Sequence, residues 1–246
     1  MVDFKEGVIL YVNKPLGWTS FKVVGRVRGK ISKACGIRRI KVGHAGTLDP
    51  LATGVMVLCT GKATKQIESF QYQTKEYVAT LKLGATTPSF DMEHEEDATY
   101  PTAHITRELV DEVIPRFTGE IWQVPPVYSA VKVDGIRPTT TPAGGEVALK
   151  LKLLVIDEIE VLDFAPPLLK LRVVCSKGTY IRALARDIGQ ALHSGAYLTA
   201  LERTRVGDMR IEDCWQIDDL LEHIDRLKHT DKLEHTNKLK HTDDTD

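Results

Sequence analysis

The chain has 246 residues, 42% of them apolar and 27% charged, with a formal net charge of −1. That composition excludes wholesale disorder, a collagen-like fibre and a coiled-coil rod, and the length suits one large domain or two small ones. No apolar run nears the roughly 18 residues a membrane span needs, and the acid-bearing start Met1 to Glu6 lacks the basic-then-apolar pattern of a secretory signal, so a soluble cytoplasmic protein is expected.

In chain order, residues 8–12 (Val-Ile-Leu-Tyr-Val) read as a short buried strand, followed by a turn at Asn13-Lys14-Pro15-Leu16-Gly17. Thr19 or Ser20 can cap a helix carrying Phe21, Val23, Val24 and Val27. A basic stretch, 28–41, comes next. It leads into a loop with glycines at 43, 46 and 54, and then a continuous apolar run at 55–59, the pattern of a central strand. Residues 76–83 alternate, with Tyr77, Ala79, Leu81 and Leu83 on one face. Residues 91–97 form an acidic loop, and Ile105, Leu109, Val113 and Phe117 make a helical stripe disturbed by Pro115. Beyond Pro125-Pro126 lie an apolar segment at 127–133, an Asp134-Gly135 turn and a Pro/Thr/Gly loop at 137–146. Residues 147–162 and 168–175 are strand-rich. A helix is expected over 180–193, with Ile181, Leu184, Ile188 and Leu192 on one side and Gly195 as its C-cap. The order is not a strict βαβ repeat, so the fold class is α+β, or mixed α/β.

Residues 226–246 stand apart as three imperfect six-residue repeats that place His229, His235 and His241 six positions apart. On a helix that spacing turns each imidazole about 240° from the last, so the three cannot share one metal. This segment is read as a disordered polar tail on a domain spanning 1–225. The four cysteines, 35, 59, 175 and 214, form no metal-binding knuckle and are expected to be reduced. A phosphate loop is excluded, because six residues rather than four separate Gly54 from Gly61-Lys62 and Ala63 follows the lysine. Neither a metal nor a nucleotide cofactor is indicated.

Charge is unevenly spread. Residues 1–66 hold twelve bases against three acids, a local charge of +9, which suits a polyanionic partner or a solvated basic face. Asp49 is the only acid between Glu6 and Glu68. It lies in the loop Gly43-His44-Ala45-Gly46-Thr47-Leu48-Asp49-Pro50-Leu51-Ala52-Thr53-Gly54, where Pro50 biases it toward an extended backbone. The residues alone allow either a turn-capping aspartate or a catalytic one. Tyr77, on the apolar face of its strand, is either a core tyrosine or the floor of a base-stacking pocket. Arg182 falls in the first turn of its helix, where a cation opposes the dipole at a cost of about 0.3–1 kcal/mol. A neighbouring carboxylate or phosphate would make that position tolerable, and a solvated side chain is the alternative.

Several segments together resemble the TruB family of tRNA pseudouridine synthases. They are Lys14-Pro15-x-Gly17-x-Thr19-Ser20, the Gly43 to Gly54 loop, Lys75-Glu76-Tyr77, Gln123 to Lys132, Gly178-Thr179-Tyr180-Ile181-Arg182, and Leu198 to Thr204. They occur in family order over roughly residues 8–215. The resemblance implies a pseudouridine synthase fold, a central mixed and mostly antiparallel sheet flanked by helices and loops. It implies isomerisation of the T-loop uridine of tRNA, nucleotide 55, to pseudouridine, without a cofactor, by a monomer acting on the T-arm stem-loop. By motif position Asp49 is the catalytic aspartate, Tyr77 lies against the target base, and Arg182 pairs with the aspartate. His44, Tyr180 and Leu201 line the pocket or contact displaced bases, and Lys14 lies at the site's edge. Two departures stand out. The segment after Arg137 is shorter than in the family and falls where the family grips tRNA. Only about thirty residues follow Trp215, too few for the RNA-binding PUA domain many members carry. The competing readings are a non-catalytic tRNA-binding or tRNA-folding protein on the same scaffold and a small-molecule hydrolase with an aspartate nucleophile.

Overall fold

The computed structural model describes residues 2–126 and 151–227. The expected 127–133 segment, the Asp134-Gly135 turn, the 137–146 loop and nearly all of the repeat tail lie outside these residues. The chain divides into two compact units, one made of residues up to Gln71 together with those from Asp208 onward, the other of Tyr72–Gly207.

In the first unit, β1 (Ile9–Lys14) pairs antiparallel with β3 (Ala52–Thr60), and β2 (Val42–His44) pairs with the other side of β3. β3 is buried along almost its whole length, as its unbroken apolar run predicts. Between β1 and β2 runs α1 (Ser20–Cys35), capped by the Thr19 hydroxyl, which accepts from the Lys22 amide. Its buried stripe, Val23, Val24, Val27, Ile31 and Ala34, packs with Val12, Met56, Leu58, Leu220 and Ile224 in one core. Phe21, expected among the apolar helix residues, is exposed, because it lies outside that stripe. The expected basic stretch is therefore largely the last two turns of α1. A short β11 (Trp215–Gln216) adds to β1 in parallel, α2 (Ile67–Tyr72) follows β3 in the chain, and residues 217–227 are helical.

In the second unit, β4 (Lys75–Leu83) lies between β9 (Leu168–Cys175) and β10 (Ala196–Val206), and β8 (Lys152–Ala165) and β7 (Gly119–Gln123) continue the sheet. These four pairings are antiparallel. The alternation of β4 is realised, with Tyr77, Ala79, Leu81 and Leu83 buried. A small hairpin joins β5 (Ala85–Thr86) to β6 (Ala98–Thr99). α4 (Ile181–Ala191) packs on β10 and β4 and buries Ile181, Leu184 and Ile188. The mixed, mostly antiparallel architecture expected from the sequence is thus present.

Two expectations are corrected. Of the stripe at 105, 109, 113 and 117, Ile105 and Val113 are buried but Leu109 and Phe117 only half so; the other buried positions are Val110, on α3 (Arg107–Val113) with Val113, and Ile114, in a following 3-10 turn, Ile114–Phe117, while Ile105 precedes the helix. A strict four-residue step outruns the 3.6-residue helical turn, and Pro115 tightens the end. Gly195 is not the C-cap of α4. The left-handed residue there is His193, and the Ser194 amide bonds back to the Gly189 carbonyl at 2.9 Å. Gly195 is small for another reason: a Cβ there would lie 2.6 Å from the Tyr100 ring.

Among the cysteines, Cys59 and Cys175 are buried, Cys35 is exposed and Cys214 half-buried, all four as free thiols. No described helix is long and apolar enough to cross a membrane.

Candidate active site

Lys14, His44 and Asp49 belong to the first unit. The loop that carries Asp49 is held from below by groups that the fold has buried. The Ser20 hydroxyl, 3% exposed, donates to the Leu48 carbonyl and accepts from the Leu48 amide, each at 2.9 Å. Because Ser20 opens α1, the helix start and the loop are locked to each other one residue before Asp49. Lys14, at the end of β1, is fully buried. Its ammonium donates to the carbonyls of Pro15 (3.0 Å), Trp18 (2.6 Å) and Pro50 (3.4 Å). Those charge-assisted bonds offset the desolvation of the amine. The Gly17 amide also bonds the Pro50 carbonyl, at 2.8 Å. Gly17 does so with φ at +76°, a conformation that suits glycine. On the other side, the Ala52 amide bonds the Asp49 carbonyl at 3.0 Å and returns the chain into β3. Asp49 itself is half-buried. His44 ends β2 opposite Leu58, five residues upstream of Asp49.

Tyr77, Tyr180, Arg182 and Leu201 belong to the second unit. Tyr77 is 9% exposed on β4. Leu201 stands opposite Ala79 on β10, and Arg203 opposite Tyr77. Tyr77 and Leu201 therefore share one face of the sheet, one rung diagonal to the other. Tyr180 is the N-cap residue of α4. The Gln123 side-chain amide treats its backbone as a strand would: Nε2 donates to the Tyr180 carbonyl at 3.1 Å, and Oε1 accepts from the Tyr180 amide at 2.9 Å. Gln123 is buried on β7, so the start of α4 is pinned to the sheet.

Arg182 is 5% exposed. Its guanidinium donates to the Ser89 carbonyl at 3.1 Å and lies 3.6 Å from the Asp91 carboxylate. A carboxylate beside a cation misplaced on the helix dipole is one of the neighbours the sequence calls for. That carboxylate is built in. Asp91 Oδ1 accepts from the Ser89 hydroxyl at 2.6 Å and the Glu93 amide at 2.9 Å, and the Thr87 hydroxyl donates to the Asp91 carbonyl at 2.7 Å. One turn along α4, the Arg186 guanidinium lies over the Phe90 ring, 5.1 Å from its centre. The sequence reading has Asp91 only as part of an acidic loop and gives Ser89, Ser20 and Gln123 no role in the site. The signal available was composition: Asp91 follows Ser89-Phe90, whereas the other acids of the loop cluster at 93–97.

A half-buried carboxylate on a braced loop can act as nucleophile or base. A buried tyrosine on a sheet face can stack on a nucleobase. Both kinds of group are present, one set in each unit.

The profile of the TruB family pseudouridylate synthase N-terminal domain matches residues 33–181, and that of the tRNA pseudouridylate synthase B C-terminal domain matches residues 182–241. A Phocaeicola vulgatus protein named tRNA pseudouridine synthase B is 66% identical over 222 residues, 90% of this chain and 94% of that one. A Bacteroides thetaiotaomicron protein of the same name is 68% identical over 218 residues, 87% of this chain and 91% of that one. Among solved structures, a chain of a Cbf5-Nop10-Gar1 complex superposes with a TM-score of 0.65 at 31% identity, over 89% of this chain and 54% of its own length. A chain of an H/ACA RNP bound to a substrate RNA containing 2′-deoxyuridine gives 0.63 at 28% identity, over 89% of this chain and 53% of its own. This chain thus spans about half the length of those two solved chains. With both family profiles matched in succession and relatives this similar over nearly their full length, the chain belongs to the TruB family of pseudouridylate synthases.

Proposed function

We propose that this protein is a tRNA pseudouridine synthase that isomerises the T-loop uridine at nucleotide 55. The observation that carries the reading is the 66% identity, over nine-tenths of the chain, to a protein named tRNA pseudouridine synthase B. The braced Asp49 loop supports it, since the bonds to Leu48 hold in place the one acid of a basic segment.

The reaction breaks the uracil N1–C1′ bond, turns the base, and joins C5 to C1′. The C5 hydrogen leaves as a proton and N1 takes one up, so the composition is unchanged, no electrons are gained or lost, and a carboxylate suffices. In this proposal Asp49 attacks C1′ or C6, or removes the 2′ proton to give a glycal. The uridine leaves the stack to be reached, which favours an unpaired T-loop over a duplex. Tyr77 holds the extruded base by its ring face, with Leu201 beside it on the sheet. Arg182 supplies the cation that keeps the reacting carboxylate ionised, for burial alone would neutralise it. Asp91 and Ser89 orient that guanidinium. His44 and Tyr180 contact the displaced T-arm bases. Lys14 fixes the loop backbone. The protein acts as a cytoplasmic monomer on the T-arm stem-loop, and the net +9 of residues 1–66 draws in its phosphates.

The test is an unmodified tRNA transcript incubated with the protein and mapped by reverse-transcription stops after carbodiimide treatment. One new stop at nucleotide 55, lost when that uridine is replaced by cytidine, is expected. No pseudouridine with tRNA bound would overturn the enzymatic reading in favour of a tRNA-folding protein. A stop at another nucleotide would overturn the T-loop assignment.

A further inference from the structure

A second feature of the first unit has no part in the chemistry above. Ten residues surround a cavity of about 360 Å³, among them Lys5, Arg38, Arg39, Lys41, Lys62 and Lys65. Six of these ten residues are cationic. Three stretches of chain contribute them, and backbone hydrogen bonds tie the stretches together. The Gly61 amide bonds the Lys41 carbonyl at 2.9 Å, and the Lys62 amide bonds the Lys5 carbonyl at 3.1 Å. Two glycines make that closeness possible. A Cβ at Gly61 would lie 2.1 Å from the Lys5 carbonyl oxygen, and one at Gly7 would lie 2.5 Å from the Ala63 nitrogen. The cations are thus mounted on a close-packed frame rather than on a loose loop.

The nearby acids do not neutralise the cluster. Glu6 pairs with Lys62 at 2.8 Å, which raises the lysine's pKa. Asp3 is turned onto the backbone amides of Lys5 and Glu6, at 2.8 and 3.2 Å. Among the described residues, Arg38, Arg39, Lys41 and Lys65 have no carboxylate partner. Like charges gathered around one cavity repel unless an anion lies among them. The lining offers no aromatic face for a base and no acid for a ribose hydroxyl, so the cavity is made to meet phosphates without reading bases.

Its position separates it from the reacting nucleotide. α1 begins at Ser20, which clasps the Asp49 loop, and ends at Cys35, just before Ile37. Sixteen helical residues span about 24 Å. β3 covers the same interval independently, from Ala52 near Asp49 to Thr60 beside Gly61, about 26 Å at strand rise.

We propose that this basic cavity is a second RNA-backbone contact, holding phosphates of the substrate tRNA remote from the nucleotide at Asp49. The assignment rests on tRNA being the substrate, so its test reads binding separately from turnover. Fluorescence anisotropy gives the Kd of a labelled full-length tRNA transcript across a salt series, and pseudouridine formation is measured in parallel. The variant carries R38Q and K65Q, both at exposed positions. A control carries R116Q and K170Q, the same change in charge on exposed residues of the second unit. The proposal predicts that R38Q/K65Q raises the Kd and KM about tenfold at 0.1 M salt and leaves kcat unchanged. The slope of log K against log salt becomes shallower by roughly 0.7–0.9 per lost contact. The control keeps wild-type values. An unchanged Kd and slope in the cavity variant, or an equal loss in the control, would overturn it. Wild-type protein that binds tRNA yet makes no pseudouridine would instead sink the enzymatic reading and leave this binding test intact.

Discussion

The hydroxyl of Ser20 closes both backbone groups of Leu48, donating to its carbonyl and accepting from its amide at 2.9 Å each. One side chain at the start of α1 therefore fixes the residue preceding Asp49. S20A leaves a buried donor and a buried acceptor without that partner. At about 1–3 kcal/mol for each orphaned group, the variant should lose on the order of 2 kcal/mol of unfolding free energy in urea. Its kcat should fall with little change in KM, because the loop then samples positions that misplace the carboxylate. Wild-type stability together with wild-type kcat would show that the clasp does not position the loop.

Asp91 is a buried counter-charge of Arg182, and the Ser89 hydroxyl and Glu93 amide hold its other oxygen. D91N keeps the shape and removes the charge. Breaking a buried pair from one side costs on the order of 3 kcal/mol, since the guanidinium stays behind in a dry setting. D91N should lower stability by that order and lower kcat more than tRNA affinity. A D91N protein with full kcat would exclude Asp91 from orienting Arg182.

Lys75 gives a pH signature. It is 6% exposed, and its amine donates to the Gln73 carbonyl. Burial first, and the nearby Arg203 second, lower its pKa from 10.5 to about 8. Between those values the unfolded chain binds the proton and the folded chain does not, so this group makes stability rise with pH. Cys175, the rung partner of Lys75 on β9, acts in the opposite sense. Burial raises its thiol from 9.0 to about 11, and the folded chain then keeps a proton that the unfolded chain releases. Comparison with K75M isolates the lysine. The stability of the wild type relative to K75M should grow by up to about 3 kcal/mol from pH 8 to 10.5. A difference that stays flat across that range would contradict the assignment.

The two-residue alternation of β4 and the unbroken apolar run of β3 were legible because burial on one or both faces writes itself directly into strand sequence. Arg182 was legible through its misplacement on the helix dipole, which called for a neighbouring charge. Its partner Asp91 was not. The acid lies in the most acidic stretch of the chain, and its burial depends on α4, 90 residues further along. Ser20 read equally well as a helix cap, and only the folded loop reveals that Thr19 takes that task and frees Ser20 for Leu48. The end of α4 shows the same limit. Gly195 had the composition of a C-cap, yet His193 adopts the left-handed turn, while Gly195 makes room for Tyr100.

The central claim is that the Asp49 carboxylate carries the chemistry. Tritium release from a tRNA transcript made with 5-³H-uridine measures turnover at the reacting carbon. D49N keeps the size and hydrogen-bonding outline of the side chain and removes the ionisable oxygen. Wild-type protein should release tritium with a stoichiometry of about one per tRNA. D49N should fold, bind the transcript and release none above the protein-free control, a loss of at least 10³-fold on the scale expected for a covalent or general-base group. Release by D49N at the wild-type rate would contradict the account.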